Sequence, residues 1–572
     1  MSIQYEDGVP VSDQFGDVYF SKHGGLEETS HVFLAGNDLC EDWPTDRVVR
    51  VCETGFGTGL NFLSMWRLFD KKKRAGQRLF YTSVEKYPLA PKDIMRSLAP
   101  FSPNLGPERI DALVEKYPQP FPGFHPRQIA PDVWLVLIFD DVADALPALN
   151  EVQDVWFLDG FSPAQNPEMW QESLYKEMAR LSHRDTRFAS FTAAGAVGRG
   201  LADAGFHVEK RVGFGRKRDM IAGRFGAGAP KATESVAPKS VTIYGSGLAG
   251  SAAGWLLNRL GVDVCVQERA TTLHKNASSN RCGLINPKIG AARIPAFDYL
   301  NGAFALFQSV FQGVKGDVIG FDRRGILHLA DANDKAQKHD KFKRLMGQSE
   351  TIFRTVSYEG LDGIIFPNAG TASPKDLNLF YLKGLSLELS SYSKQESDIA
   401  LYCGGAHAKD AFSDLPLQKI RGQVSYTKPL PETHPFRDQA HPVLSYGGYA
   451  APMADGRACI GATFQHWSDE EGVVEEDHRR NLDQLGQRFP QLTEEVEIED
   501  GWCGFRLSSK DRLPLIGFYQ DNTYLSIAHG SHGMLSSLAA GHIIAYELGL
   551  IPQPFSQDVL KALSPQRFRP KL

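Results

Sequence analysis

Glu53 closes a short apolar run, Val48–Glu53, and Gly55, Gly57 and Gly59 follow at alternate positions in "VRVCETGFGTGLNF". A glycine-rich turn between a strand and a helix ordinarily cradles phosphate. A carboxylate at its mouth works against that. Further candidate strands also end in acids: Glu85, then Asp140 with Asp141, then Asp159. Open α/β sheets bind ligands at the carboxyl ends of their strands. A pyrophosphate would be repelled there. A ligand with a sulfonium, an ammonium and an adenosine ribose would not, and S-adenosylmethionine (SAM) is that ligand. The three glycines let backbone pass close to it. Glu85 stands where an acid accepts ribose hydroxyls, and Asp141 falls near the adenine amino group.

A second glycine turn has no acid before it. From Val241 the chain reads "VTIYGSGLAGSAAGWLLNRLGVDVCVQER", a strand, G-x-G-x-x-G at Gly245, Gly247 and Gly250, an apolar-periodic helix, and a strand ending in Glu268. Glu268 follows Gly245 by about the ~20 residues that separate this turn from a ribose-binding acid. The helix N-terminus is free to hold a pyrophosphate. The spacing fits a dinucleotide and leaves FAD and NAD both open.

Three further features could carry chemistry. "VWFLDGFSPAQNPEMW" sets Asp159 before a proline-braced loop. There it can orient an amine or accept its proton, or simply cap the loop. Phe161 and Trp170 either stack on a base or belong to the core. Two basic clusters stand out, "KKKRAGQR" (Lys71–Arg78) and "GRKRD", which holds Arg216, Lys217 and Arg218. Either can meet phosphates. The first reads equally as a solvated helix end, so the second is preferred.

The chain must position these groups with more than one core. It has 572 residues, and single cores stop growing near ~250–300. "GAGAPKATESVAPKS" (226–240) loses apolar periodicity and reads as linker. This gives residues 1–226, a linker at 227–240, and 241–572. In the first part, candidate strands at Val48–Glu53, Leu79–Glu85, Val133–Asp140, Asp154–Asp159 and Arg187–Thr192 alternate with helical stretches such as Leu60–Leu68 and Glu172–Leu181. The pattern is α/β with a parallel sheet. "FHVEKRV-GFGR-KRDMIAG" then predicts an antiparallel hairpin, an ending that resembles the class I SAM-dependent methyltransferase fold. Net charge is −6, so a nucleic-acid partner needs a local basic patch. Seven scattered cysteines without a C-x-x-C pair argue against a disulfide framework and a zinc site. With a polar N-terminus and no apolar run of spanning length, the expectation is a cytoplasmic, metal-free, monomeric protein away from membranes.

The second part resembles flavoproteins of the D-amino-acid and glycine oxidase type. "WCGFRLSSKDRLPLIG" (502–517) and "YLSIAHGSHGMLSS" (524–537) return to glycine-rich texture. In such proteins the returning segment places a helix N-terminus by the isoalloxazine, which favours FAD and assigns Gly530 and Gly533 to it. The resemblance makes Arg506 a clamp for a substrate carboxylate, against the alternative of a surface ion pair. Residues 321–395 and 424–500 become the substrate-side layer, with Lys419–Tyr426 as the crossing strand.

Nearly the whole chain resembles the family of bifunctional tRNA 5-methylaminomethyl-2-thiouridine biosynthesis proteins, through "ETGFGTGLNF", "SVEKYPL", "WFLDGF", "GFGRKRDM" and "GFRLSSKDRLPLIG" in that order. The resemblance implies two reactions on the wobble uridine (position 34) of tRNA. An FAD-dependent step removes the carboxymethyl group from 5-carboxymethylaminomethyl-2-thiouridine. A SAM-dependent step then methylates the resulting amine, with Asp159 taking its proton. A fused small-molecule amine methyltransferase and glycine- or sarcosine-type oxidase without RNA is the alternative. Two departures stand out. Gln165 replaces a Lys usual in the family. "NASSNRCG" (Asn276–Gly283) differs at Asn276, Ser279 and Cys282 from the family's flavin-side turn, while Ser278, Asn280 and Arg281 persist.

Overall fold

The computed structural model describes residues 3–569 apart from 7, 22–23, 232–235, 274–276, 331–332, 348, 391 and 393–395. The chain divides into two compact units. One is Met1–Val236 with Ile551–Gln557; the other is Ala237–Leu550 with Asp558–Leu572.

The first unit is built on an eight-stranded sheet. From one edge its strands are Gly123–Ala130, Val133–Phe139, Arg78–Val84, Val48–Glu53, Gln153–Phe157, Ser182–Ser190, Asp219–Phe225 and Phe206–Val212. The five inner strands from Val133–Phe139 to Ser182–Ser190 are parallel. "VWLVLIF" is buried at all seven positions, as expected of a strand covered on both faces. The terminal hairpin is antiparallel, with Asp219–Phe225 inserted beside Ser182–Ser190. The sequence reading did not include Gly123–Ala130, which pairs antiparallel at the opposite edge, or the N-terminal hairpin Ile3–Glu6 with Val9–Ser12. Helix Leu60–Lys72 starts at Gly59, whose φ of 82° is the left-handed conformation glycine adopts freely. Residues 551–557 are held in this unit by Gln553. Its side-chain amide donates to the Ala148 carbonyl and its Oε1 accepts from the Asn150 amide.

The second unit has two large sheets. The nucleotide sheet runs Ser386–Leu389, Asp263–Glu268, Ser240–Tyr244, Ile399–Tyr402, Thr523–Ile527 and Leu515–Gln520, parallel except at the last pair. Helices Leu248–Arg259 and Gly533–Glu547 pack closely, since a Cβ at Gly541 would lie 3.2 Å from Ala253 Cα. The other sheet is mixed and eight-stranded. Its longest pair joins Leu417–Thr427 to Ile498–Ser509. This corrects the expected limits of the substrate-side layer. Its N-terminal contribution ends with strand Leu361–Phe366. Strand Ser386–Leu389 belongs to the nucleotide sheet, and helix Pro374–Leu382 packs on Leu248–Arg259.

No helix among the described residues is long and apolar enough to cross a membrane. None of their His, Cys, Asp and Glu side chains are grouped to hold a metal.

Candidate functional sites

The first unit contains a cavity of about 620 Å³ at the carboxyl ends of its parallel strands. Gly55, Gly57, Glu85, Asp141 and Asp159 line it, with Val84 and Val142 as apolar wall. Gly55 is closely approached: a Cβ there would lie 3.1 Å from Gly160 Cα. This close approach brings the glycine turn against the Asp159 loop. Both Glu85 oxygens accept backbone amides, Oε2 from Gly57 at 2.9 Å and Oε1 from Tyr87 at 2.8 Å. A carboxylate so held keeps lone pairs for hydroxyls. Asp141 caps the short helix after Phe139, accepting from Ala143 N, and its other oxygen pairs with Lys86 Nζ at 2.7 Å.

Asp159 Oδ1 accepts from Gly160 N at 2.8 Å and Oδ2 from Asn61 Nδ2 at 2.6 Å. Burial pushes its carboxyl up to about 7. Glu53 requires a correction. It does not line the cavity but lies fully buried beneath it, accepting from Asn61 Nδ2 at 2.9 Å and Ser83 Oγ at 2.7 Å. Burial, and next the Asp159 charge, push it up to about 8. Gly59 is also absent from the lining; it serves the turn, and a Cβ there would strike Phe56 and Leu113. Trp170 is core, 9% exposed, with its indole N–H on the Phe161 carbonyl. Phe161 does line the cavity, stacked on Phe15 with ring centres 4.7 Å apart.

Arg216 and Lys217 stand at the same cavity, whereas Arg218 does not. Lys217 pairs with Glu28 at 3.1 Å and lies over the Phe191 ring. In the other basic cluster, Lys73 is tied to Asp70 and Asp132. The cavity thus offers acids, aromatics and an apolar wall, and its lysines Lys86 and Lys217 are already paired. That donor set fits a cationic adenosine ligand and opposes a pyrophosphate.

The second unit contains a cavity of about 1400 Å³ lined by Gly245, Gly247, Glu268, Ser278, Asn280, Gly530 and Gly533. It exceeds the ~300–1,000 Å³ usual for one small ligand, as a dinucleotide with a substrate requires. Gly245 has φ +115°, and a Cβ there would lie 2.7 Å from the Cys403 carbonyl oxygen. Glu268 Oε2 accepts from Ser246 N and Oγ, fixing the turn. The N-terminus of Leu248–Arg259 opens on the cavity as an anion site. Gly250 is a correction: it does not line the cavity, and its missing Cβ lets the helix meet the Gly245 carbonyl.

Arg281 is a second correction, since its guanidinium pairs with Asp500 at 3.0 Å and lies over the Tyr426 ring instead of entering the cavity. Asn280 Oδ1 accepts from the Tyr426 hydroxyl at 2.8 Å. Arg506 does enter. It is half-buried, lies over the Phe464 ring, and has no carboxylate partner among the described residues. Gly422 makes room for it, because a Cβ there would lie 2.1 Å from Nη1. A surface ion pair is therefore not what holds Arg506.

Residues 106–225 match the family described as S-adenosyl-L-methionine-dependent methyltransferase. Residues 240–388 and 384–547 match FAD dependent oxidoreductase. The bifunctional protein MnmC of Chromobacterium violaceum, named for tRNA 5-methylaminomethyl-2-thiouridine biosynthesis, is 33% identical over 99% of this chain and 96% of its own. The chain belongs to the MnmC family. The MnmC protein of Methylobacillus flagellatus is likewise 33% identical, over 99% of this chain and 95% of its own. Among solved structures, glycine oxidase from Geobacillus kaustophilus covers 57% of this chain and 98% of its own, at 20% identity and a TM-score of 0.49.

In this MnmC family member the sequence reading missed several cavity residues. Phe15, Asp17 and Tyr19 come from an N-terminal stretch outside any strand or helix, with Asp17 Oδ2 accepting from Ser162 N at 3.0 Å. At the flavoprotein cavity, desolvation lowers His529 to about 4, and His532, solvent-exposed, lines it too. Their signal in the sequence is "HGSHG", which sets both histidines beside Gly530 and Gly533. Of the family departures, Gln165 lines the first cavity. Cys282 is buried at the second, Ser279 also lines it, and Asn276 lies outside the described residues.

Proposed function

We propose that this protein carries out both late steps of 5-methylaminomethyl-2-thiouridine formation at the wobble uridine, position 34, of tRNA, in the cytoplasm. The second unit oxidatively removes the carboxymethyl group from the carboxymethylaminomethyl side chain, releasing glyoxylate and leaving an aminomethyl group. The first unit methylates that amine. The observation that carries the reading is a half-buried guanidinium without a carboxylate partner among the described residues, Arg506, in the flavoprotein cavity. The first step's substrate presents a carboxylate and the second step's does not. A desolvated guanidinium grips a carboxylate bidentately, so Arg506 selects the first substrate and orients its C–N bond.

Bound FAD supplies the hydride acceptor. Gly245, Gly247 and the helix N-terminus would hold its pyrophosphate, Glu268 its ribose, and Gly530 and Gly533 the ring side. Bound SAM supplies the methyl group. Gly55 and Gly57 would pass along it, Glu85 would take its ribose and Asp141 its adenine. The amine must be neutral to attack. Asp159, held by Gly160 N and Asn61, accepts its proton. Arg216 and Lys217 face tRNA phosphates.

Nucleoside mass spectrometry of tRNA from a strain lacking the gene tests this. Carboxymethylaminomethyl uridine should accumulate and the methylaminomethyl form should vanish. Complementation with Asp159→Asn should accumulate the aminomethyl form instead. Unchanged tRNA nucleosides would transfer both activities to free amines.

A further inference from the structure

Asn61 occupies a position that the two reactions leave unexplained. It sits in the first turn of helix Leu60–Lys72, 7% exposed. Its single amide nitrogen donates to Asp159 Oδ2 at 2.6 Å and to Glu53 Oε1 at 2.9 Å. Its Oδ1 accepts from Thr29 Oγ1 at 2.8 Å. An ionised Asp159 fixes the amide's orientation, because a flipped amide would set its oxygen against that carboxylate. The Glu53 oxygen not facing Asn61 lies 2.7 Å from the Ser83 hydroxyl, a group that can donate to a carboxylate or accept the O–H of a carboxylic acid.

Two carboxyl groups therefore share one NH2 group, Glu53 fully buried and Asp159 half-buried at the cavity. Like charges so placed cannot both ionise cheaply. Glu53 is fully buried and pairs with no cation among the described residues, and Tyr81 and Cys52 beside it are held neutral by burial. Asp159 borders the cavity and receives a backbone amide besides Asn61. Its charged surroundings are Glu28 and Lys217, themselves a salt bridge. The proton thus belongs on Glu53 and the charge on Asp159.

We propose that Asn61 is the positioning residue of methyl transfer, holding the Asp159 carboxylate toward the amine while anchored on Glu53 as a neutral carboxylic acid. This rests on Asp159 being the proton acceptor, as proposed above. The proton leaving the amine goes to Asp159. Glu53 neither gains nor loses one.

Two variants of the full-length protein test it, with aminomethyl-containing tRNA as substrate. Asn61→Leu removes a donor that favours the ionised Asp159, so the acid limb of the kcat profile should move to higher pH. At pH 7, where the Asp159 carboxyl at about 7 is half ionised, the first unit of that movement lowers the rate about fivefold and each further unit about tenfold; the rate recovers in alkali, with flavin absorbance and oxidase turnover unchanged. A loss equal at every pH, or an unmoved profile, overturns the positioning role. Should Asn61→Leu not fold, Glu53→Gln decides alone. The infrared difference spectrum of wild type against Glu53→Gln at neutral pH should show the carbonyl stretch of a protonated acid. Carboxylate bands in its place overturn the neutral anchor. Asp159→Asn separates this proposal from the reading beneath it. If that variant keeps the wild-type rate, Asp159 is not the base and both fall. If it is inactive while Asn61→Leu is unmoved, only the positioning role falls.

Discussion

Asp159 and Arg506 show how burial turns ordinary side chains into reagents. Desolvation raises the Asp159 carboxyl to about 7, close to the operating pH where a proton acceptor works best. Only its ionised form can take the amine's proton. Methyl transfer should therefore be low in acid and rise as pH passes through about 7. Asp159→Asn should cost roughly 10²-fold or more while oxidase turnover persists; single-turnover methylation against pH checks both. Arg506 is the opposite case, a charge that burial disfavours and a substrate carboxylate would satisfy. Arg506→Lys keeps the charge but loses the planar fork. With about 1.5–3 kcal/mol at stake in a hydrogen bond to a charged group, KM for the carboxymethylaminomethyl substrate should rise about ten- to a hundredfold, with the flavin spectrum intact. Steady-state kinetics on the two separate steps would read this, and an unchanged KM would remove Arg506 from the substrate.

At the scale of elements, both glycine turns bring backbone close to backbone at their tightest positions, Gly55 and Gly245. At Gly245 the positive φ and the 2.7 Å approach to the Cys403 carbonyl both oppose a side chain. Gly245→Ala should yield a soluble but colourless protein that still methylates, as the absorbance spectrum of the purified variant would show. These turns were legible in the sequence because strand, glycine spacing and strand-end acid all lie within one short stretch. Strand Val48–Glu53 and the start of helix Leu60–Lys72 stand where their patterning put them. What escaped has identifiable causes. Strand Gly123–Ala130 contains Pro126, which argues against a strand except at a sheet edge, and an edge is where it lies. Phe15 and Tyr19 have no periodicity to betray them; only the folded chain brings them over Phe161. Glu53 looked like a ligand because it ends a strand. Its side chain turns instead beneath the floor, toward Ser83 and Asn61, and sequence alone does not reveal which way a strand-end acid points.

On the scale of the whole molecule, the net charge of −6 repels tRNA, so binding must depend on a few local cations. Arg216 is exposed at the first cavity and forms no ion pair among the described residues. Lys217 is also exposed there but must first leave Glu28. The two should therefore contribute unequally. Arg216→Glu should weaken tRNA binding more than Lys217→Glu, because Arg216 meets phosphate without breaking an ion pair, whereas the lysine's phosphate contact is made at the expense of its pairing with Glu28. Each phosphate contact contributes about 0.7–0.9 to the slope of log K against log salt. Losing Arg216 should flatten that slope by about one such step, whereas a change in the aromatic wall should weaken binding without altering it. Affinity measured across a salt series for the two charge reversals and for Phe161→Leu distinguishes these cases. Equal slopes for all three would place the tRNA backbone elsewhere on the surface and leave Arg216 with no part in binding it.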